Sequence, residues 1–305
     1  MTSGDFMKQK FSGIVSLLLA TVIWGSAFVA QSIGMDHVGP YTFQAIRCAM
    51  ACIGLLVVIA FFDITKRDGK NFFSRFSDRN LWLGGLFSAI PLCLAVNLQQ
   101  MGIVYTDAGK SAFLTAMYII FVPLIGILLK RRPSPMIPVS VLIAVVGLYF
   151  LSCAGADTIN LGDICLLLCA VAFAVQITVI DRYAPYVDPL RLNCLQSGFC
   201  ALGSAAIMLF TETPTLSGIQ GSWWPMCYAG FLSMGAAYSL QIIGQKKLEP
   251  AGASLIMSLE SVFAAVFGWL ILNEQMTVNE TLGCVLVFLA VILSQIPIKV
   301  KKAVH

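Results

Sequence analysis

The chain has 305 residues, of which 58% are hydrophobic and 11% charged. A soluble domain carries about 25% charged residues. Charged side chains this sparse cannot cover a soluble surface, so the composition excludes a disordered chain and an ordinary soluble enzyme and points to a polytopic membrane protein. The net charge of +4 says less than the placement of the charges.

Ten apolar runs of spanning length follow one another: 12–33, 41–62, 81–103, 108–129, 136–153, 161–181, 189–210, 225–245, 251–272 and 278–297. Each is predicted to be helical, because a bilayer offers backbone groups no water to bond. The first follows Lys8 and Lys10 in the manner of a signal peptide, but it is too long for a signal core, and Phe28 obstructs cleavage after Ala30. It reads as a retained helix. With the N-terminus inside, 17 of the 19 Lys and Arg fall in inside segments. These are Lys8 and Lys10; Lys66, Arg67, Lys70, Arg75 and Arg79; Lys130, Arg131 and Arg132; Arg182 and Arg191; Lys246 and Lys247; Lys299, Lys301 and Lys302. Outside loops hold none. Arg47 and Lys110 fall within spans, and Lys110 is expected to reach outer headgroups or water. The positive-inside rule then predicts ten spans with both termini cytoplasmic. The 63–80 loop, with Phe72, Phe73 and Phe76 among cations, reads as a short interfacial segment.

The ten Cys lie almost entirely inside apolar runs and form no C-x-x-C pair. They read as small apolar fillers of helix surfaces. With only His37 and His305 as histidines, neither a metal site nor a catalytic triad is expected. No phosphate-binding G-x-x-x-x-G-K-[ST] occurs, so no cofactor is expected and transport would be secondary or facilitative.

The chain also repeats itself. Asn97–Gly102 aligns with Ser239–Gly244, Ala108–Ser111 with Ala251–Ser254, and Phe121–Gly126 with Phe263–Gly268, at offsets of 142 to 143 residues; Leu17–Leu19 aligns with Leu166–Leu168 and Pro40 with Pro189 at 149. Such periodicity outranks any local motif. Five helices per copy is an odd number, so the second copy is predicted to sit upside down. The charges agree: Lys130-Arg131-Arg132 corresponds to Asn273-Glu274-Gln275, and the cationic 63–80 loop to 211–224, which has no Lys or Arg. The expected fold is therefore an all-α membrane protein of ten transmembrane helices, arranged as two inverted five-helix repeats, 12–153 and 161–297. That architecture belongs to alternating-access transporters, with substrate bound near the bilayer midplane.

The stretches Ala108-Gly109-Lys110-Ser111-Ala112-Phe113-Leu114-Thr115-Ala116 and Leu259-Glu260-Ser261-Val262-Phe263-Ala264-Ala265, then Gly268–Glu274, with Trp24-Gly25-Ser26 and Ala45-Ile46-Arg47, resemble the EamA family of the drug/metabolite transporter superfamily. The resemblance covers 12–297 as two tandem repeats. It implies a ten-helix bacterial inner-membrane protein that exports amino acids or other small metabolites. Ser261 stands where the family often has Pro after the Glu, so no helix break is expected in the ninth span.

The polar residues inside the spans are the candidate site. Glu260 is the one carboxylate deep in a span, roughly 14 Å from its helix end at about 1.5 Å per residue. A charge at that depth costs at least ~2.5–3.5 kcal/mol. It reads as an ion-coupling group, a partner for a substrate ammonium, or a protonated or paired folding contact. Arg47 suits a substrate carboxylate, a structural ion pair or snorkelling. Trp24 and Gln31 share a helix face, as do Asn97 and Gln100, Thr115 and Tyr118, and Tyr238 and Gln241, with Gln176 mid-span. Amides and hydroxyls in a bilayer bond neighbouring helices; taken as a set beside aromatics, they also suit a small-molecule pocket. The predicted substrate-binding set is Trp24, Asn97, Gln100, Tyr118, Gln176, Tyr238, Gln241 and Glu260, with Arg47. An inorganic-ion pore would need rings of charge or carbonyls instead. The functional reading is a non-enzymatic exporter of a small metabolite such as an amino acid, with the bilayer and the solute as its partners, no nucleic acid, and homodimer formation left open. The alternatives are a membrane-embedded enzyme, for which the loops offer only isolated acids, and a sensor or scaffold that does not transport.

Overall fold

The computed structural model describes residues 3–65, 72–106, 108–131, 133–152, 160–272 and 277–296. Lys66, Arg67, Lys70, Arg132, Cys153, Asn273, Glu274, Gln275, Lys299, Lys301, Lys302 and His305, which the sequence reading used, lie outside the described residues.

Among the described residues all regular structure is helical. The long segments are α1 (Ser3–Gly34), α2 (Pro40–Thr65), α4 (Arg79–Tyr105), α8 (Leu161–Tyr183) and α9 (Pro189–Thr211). Short α3 (Phe72–Arg75) follows α2; α5 (Ala108–Ala116) and α6 (Tyr118–Leu128) run in tandem, then α7 (Met136–Ser152). After α10 (Leu216–Gly221), α11 (Trp223–Cys227) continues through a π-helical stretch, Tyr228–Ala237, into α12 (Tyr238–Gln245). The last segments are α13 (Pro250–Met257), α14 (Leu259–Leu272) and α15 (Val278–Ser294). Among the described residues, eight helical segments are long and apolar enough to cross a membrane, and two shorter apolar helices coincide with α7 and α15. The chain is a multi-pass membrane protein.

Local chemistry sets the helix ends. Pro189 and Pro250 open their helices, where a missing N–H costs nothing. Asn160 with Asp163, and Thr277 with Glu280, form reciprocal capping boxes. Glu212 accepts hydrogen bonds from the Tyr41 and Thr42 backbone N–H groups and the Thr42 hydroxyl, and so holds the start of α2.

Helix pairs α4/α8, α7/α15, α2/α9, α4/α9 and α1/α14 make the main packing contacts. Along α2/α9 the contacts run in opposite order on the two helices: Thr42 meets Glu212, Cys48 meets Cys200 at 3.6 Å between sulfurs, and Asp63 meets Arg191. The pair is therefore antiparallel. The nine described cysteines are free thiols, all buried or half-buried, as fillers should be. Glycine is required at several helix crossings, two of them related by the repeat. A Cβ at Gly102 would stand 2.5 Å from Leu166, and one at Gly244 would stand 2.6 Å from Leu17, so α4 meets α8, and α12 meets α1, at backbone distance.

One expectation is corrected. The ninth span is broken at Ser258, between α13 and α14, without any proline. Serine hydroxyls bond the backbone here instead: Ser254 and Ser258 donate to the carbonyls of Ala251 and Leu255 at 2.9 and 2.8 Å, and Ser261 reaches across to Ala112 at 2.9 Å. The fourth span also breaks, at Met117, where the Met117 N–H donates to the Leu114 carbonyl and the Ile120 N–H to the Met117 carbonyl. Lys110, expected at headgroups or water, also has a protein partner: its Nζ lies 2.7 Å from an Asp163 carboxylate oxygen, and the pair joins α5 to α8.

Candidate functional site

The breaks at Met117 and Ser258 place Tyr118 and Glu260 in the first turns of α6 and α14. The two residues are 142 apart, the repeat offset, and they touch: the Tyr118 hydroxyl donates to Glu260 Oε1 at 3.0 Å. A helix N-terminus favours negative charge, which suits Glu260. This contact forms one wall of a cavity holding about 440 Å³ of atom-free space.

Around it, α1 contributes Trp24, Phe28 and Gln31, and α2 contributes Arg47. Gln99 comes from α4, Phe173 and Ile177 from α8, and Ser233 from the π-helical stretch; Tyr238, Gln241 and Met257 complete the lining. Trp24 and Tyr238 meet edge to face with ring centroids 5.0 Å apart. Such a pair forms a stiff apolar platform. Arg47 is 1% and Glu260 5% exposed. Among the described residues neither forms an ion pair. Arg47 Nη1 donates to Gln31 Oε1 at 2.5 Å.

Three buried polar atoms on the lining residues have no hydrogen-bond partner: Trp24 Nε1, Arg47 Nε and Gln241 Oε1. Buried donors and acceptors are nearly always paired, so two idle donors and one idle acceptor around one space mark a place for a ligand or water. Cationic and anionic side chains face the same space without neutralising each other. Among the described residues, no group of His, Cys, Asp and Glu is arranged to hold a metal ion.

Of the predicted residues, the structure brings Trp24, Tyr118, Tyr238, Gln241, Glu260 and Arg47 to the cavity. Asn97, Gln100 and Gln176 stand outside its lining. The Asn97 side-chain amide donates to Ser204 at 2.8 Å and to the Cys93 carbonyl at 2.7 Å, tying α4 to α9. Gln100 bonds Gln44 and the Gln31 carbonyl. Gln176 lies one layer back, accepting from Gln241 at 3.2 Å. The wall takes Gln99 where Gln100 was expected, and it adds Phe28, Gln31, Phe173 and Ile177. The helical spacing of Phe173 and Ile177 places both on one face; nothing in the local sequence says which face of α4 or α8 turns inward.

A second cavity, of about 360 Å³, is lined by Val122, Arg131, Thr178, Glu249 and neighbours. Arg131 pairs there with Asp181. Glu249, in the connection before α13, has its carboxyl pushed above the usual range by partial burial and by Asp181, against a smaller pull from Arg131.

Comparison with known proteins agrees with this architecture. The model of the EamA-like transporter family matches residues 11–153 and again 160–295. An uncharacterised transporter of Archaeoglobus fulgidus is 31% identical over 92% of this chain and 84% of its own length. The threonine/homoserine exporter RhtA of Escherichia coli is 29% identical, over 88% of this chain and 86% of its own. A solved crystal structure superposes with a TM-score of 0.75 at 16% identity, covering 93% of this chain and 96% of that one, which extends the likeness to the fold.

Proposed function

We propose that this chain, which belongs to the EamA-like transporter family, exports a small metabolite such as an amino acid across a bacterial inner membrane by alternating access. The observation that carries the reading is the central cavity, where unpartnered Arg47 and Trp24 donors, the Gln241 acceptor and the Glu260 carboxylate surround one space. That set suits a solute with an apolar body, a carboxylate and an ammonium group. The 29% identical RhtA, a threonine/homoserine exporter, points to the same class.

The ten-helix, inverted-repeat arrangement is part of the proposal, with repeats at 12–153 and 161–297. Its support is the equivalence of contacts. Gly102 meets Leu166 as Gly244 meets Leu17, each partner displaced by the repeat offset. The 17-residue helices α7 and α15, about 25 Å long at 1.5 Å per residue, pack together as a fifth and a tenth span. Both termini are assigned to the cytoplasm. The contact of Asp63 with Arg191, and of Arg131 with Asp181, joins loops that the charge count puts on that side.

Counterflow in liposomes tests the function. Vesicles loaded with threonine or homoserine should accumulate the labelled solute transiently. Folded protein that exchanges neither these nor a wider panel of amino acids would remove the reading. Orientation is checked by labelling single cysteines in a Cys-free background: Ser217→Cys should react in intact cells, and Ser74→Cys only after permeabilisation. Reaction of Ser74→Cys from outside would overturn the orientation.

The Trp24–Tyr238 platform gives a further expected result. Burying a solute's apolar body there is worth roughly 1–3 kcal/mol, so Trp24→Ala should weaken apparent affinity by about tenfold. The amount of protein in the membrane should hold. Lower yield at unchanged affinity per folded molecule would make Trp24 a packing residue only.

A further inference from the structure

Arg47 is the largest fully buried side chain in the described structure, and it lacks a carboxylate partner. An uncompensated buried charge is strongly unfavourable. If folding were its only role, an acid opposite the guanidinium would be the cheaper solution. Instead the partner is a neutral amide, Gln31, which accepts one hydrogen bond from Nη1 at 2.5 Å and leaves the full positive charge in place.

Gln31 is itself held. Its Nε2 donates to the Ala27 carbonyl at 3.1 Å, which turns Oε1 toward Arg47. Its backbone carbonyl accepts from Gln100 Nε2 at 3.4 Å. Gln100 Oε1 in turn accepts from Gln44 Nε2 at 3.1 Å, and the same Gln44 amide donates to the Val96 carbonyl at 2.7 Å. Gln44 stands three residues before Arg47 on α2. The chain of amides thus leaves α2 at Gln44, passes through Gln100 of α4 and Gln31 of α1, and returns to α2 at Arg47. It fixes one pose of the guanidinium. A guanidinium carries five N–H donors, and among the described residues only Gln31 receives one of them. Nε is buried without a partner, and the group lines the central cavity.

We infer that Gln31 is the positioning residue of the site: it holds Arg47 in place without neutralising it, so that the guanidinium is kept for the carboxylate of the transported solute. The inference rests on the transport reading above and assigns to Gln31 the discrimination between solutes that carry a carboxylate and those that do not. Gln100 and Gln44, outside the cavity, act through Gln31. The role explains why amides on three helices are spent on one another.

The test compares full-length wild type, Gln31→Glu and Gln31→Met in nanodiscs, with L-threonine and L-threoninol as probes; the second replaces the carboxylate by a hydroxymethyl group. In wild type, threonine should raise the unfolding temperature more than threoninol does. Gln31→Glu supplies the missing acid, so it should unfold several degrees higher than wild type without solute. Its threonine response should need about tenfold or more higher concentration, with the threoninol response shifted much less. Gln31→Met should also weaken the threonine response, but without the rise in baseline stability. Wild type that responds equally to both probes, or to neither, overturns the inference. So does Gln31→Glu with wild-type threonine affinity, the result expected if Gln31 only solvates a structural arginine. Counterflow run in parallel separates the two conclusions. Threonine exchange undiminished in Gln31→Glu removes the role of Gln31 and leaves transport standing. The stabilisation pattern without exchange supports the anion site and counts against transport of this solute.

Discussion

Asp63→Asn is expected to be the most destabilising single substitution of a charged residue in the protein. Asp63 is 8% exposed at the end of α2. Its two carboxylate oxygens accept from Arg191 Nη2 at 2.5 and 2.6 Å, and Arg75 Nε lies 3.6 Å away. Arg191 also stacks over Phe76, with its guanidinium carbon 5.6 Å from the ring centroid. One carboxylate therefore balances two arginines and ties α2, α3 and α9 together. Asparagine keeps the shape and removes the charge. The remaining nearby acid, Asp188, is 3.3 Å from Arg191 but 37% exposed, so it compensates less. Removing one partner of a buried ion pair costs about 3–5 kcal/mol, whereas replacing both partners by apolar residues is often neutral. Asp63→Asn should thus lower the unfolding temperature in detergent and the yield of folded protein. The double variant Asp63→Leu with Arg191→Leu should recover much of the loss, because no uncompensated charge is left on α9. Wild-type stability in Asp63→Asn, or a double variant no better than the single ones, would show that the cluster is dispensable.

That pair also shows where the sequence stops being informative. Asp63 falls one residue beyond the apolar run 41–62, and Arg191 reads as one more cation of an inside loop. Their separation of 128 residues hides the contact, since nothing local marks a long-range ion pair. The helices themselves were legible, because apolar runs and the charges between them report the bilayer directly. The breaks at Met117 and Ser258 were not. At Ser258 the break goes with serine hydroxyls bonding the backbone and with α14 tying onto α5 through Ser261; at Met117 the backbone itself tightens to three-residue bonds, Met117 N to the Leu114 carbonyl and Ile120 N to the Met117 carbonyl, whereas the local pattern of both spans reads as unbroken helix. The cavity lay between these cases. Trp24, Tyr118, Tyr238, Gln241, Glu260 and Arg47 were found because a polar or aromatic side chain in an apolar span needs a reason. The exchange of Gln100 for Gln99 has the opposite cause. In a membrane bundle both the lipid-facing and the protein-facing sides of a helix are apolar, so α4 carries amides at 97, 99 and 100 with no hydrophobic periodicity to rank them. Only the neighbours decide: Ser204 claims Asn97 and Gln31 claims Gln100, which leaves Gln99 to the cavity.

The second large effect is expected at Glu260. It combines features that no other acid among the described residues combines: burial, a place on the cavity wall, a position in the first turn after a helix break, and no ion pair. Its carboxylate accepts a hydrogen bond from the Tyr118 hydroxyl at 3.0 Å. A carboxylate so placed serves either as the partner of a substrate ammonium or as a group that takes up and releases a proton during the cycle. Glu260→Gln keeps the size and the bond to Tyr118 but removes both charge and titration. A charge-assisted hydrogen bond contributes roughly 1.5–3 kcal/mol, so transport efficiency should fall by about ten- to a hundredfold. The folded yield should hold, because glutamine still accepts from Tyr118. Tyr118→Phe removes one neutral donor and should cost less, within about tenfold. The two roles separate in liposomes with an imposed pH gradient. Loss of gradient-driven accumulation with counterflow retained identifies Glu260 as the coupling group, while loss of counterflow itself, reversed by raising substrate concentration, identifies an ammonium partner. Glu260→Gln with the wild-type rate, affinity and pH response would exclude both roles and leave the carboxylate as a packing contact between α6 and α14.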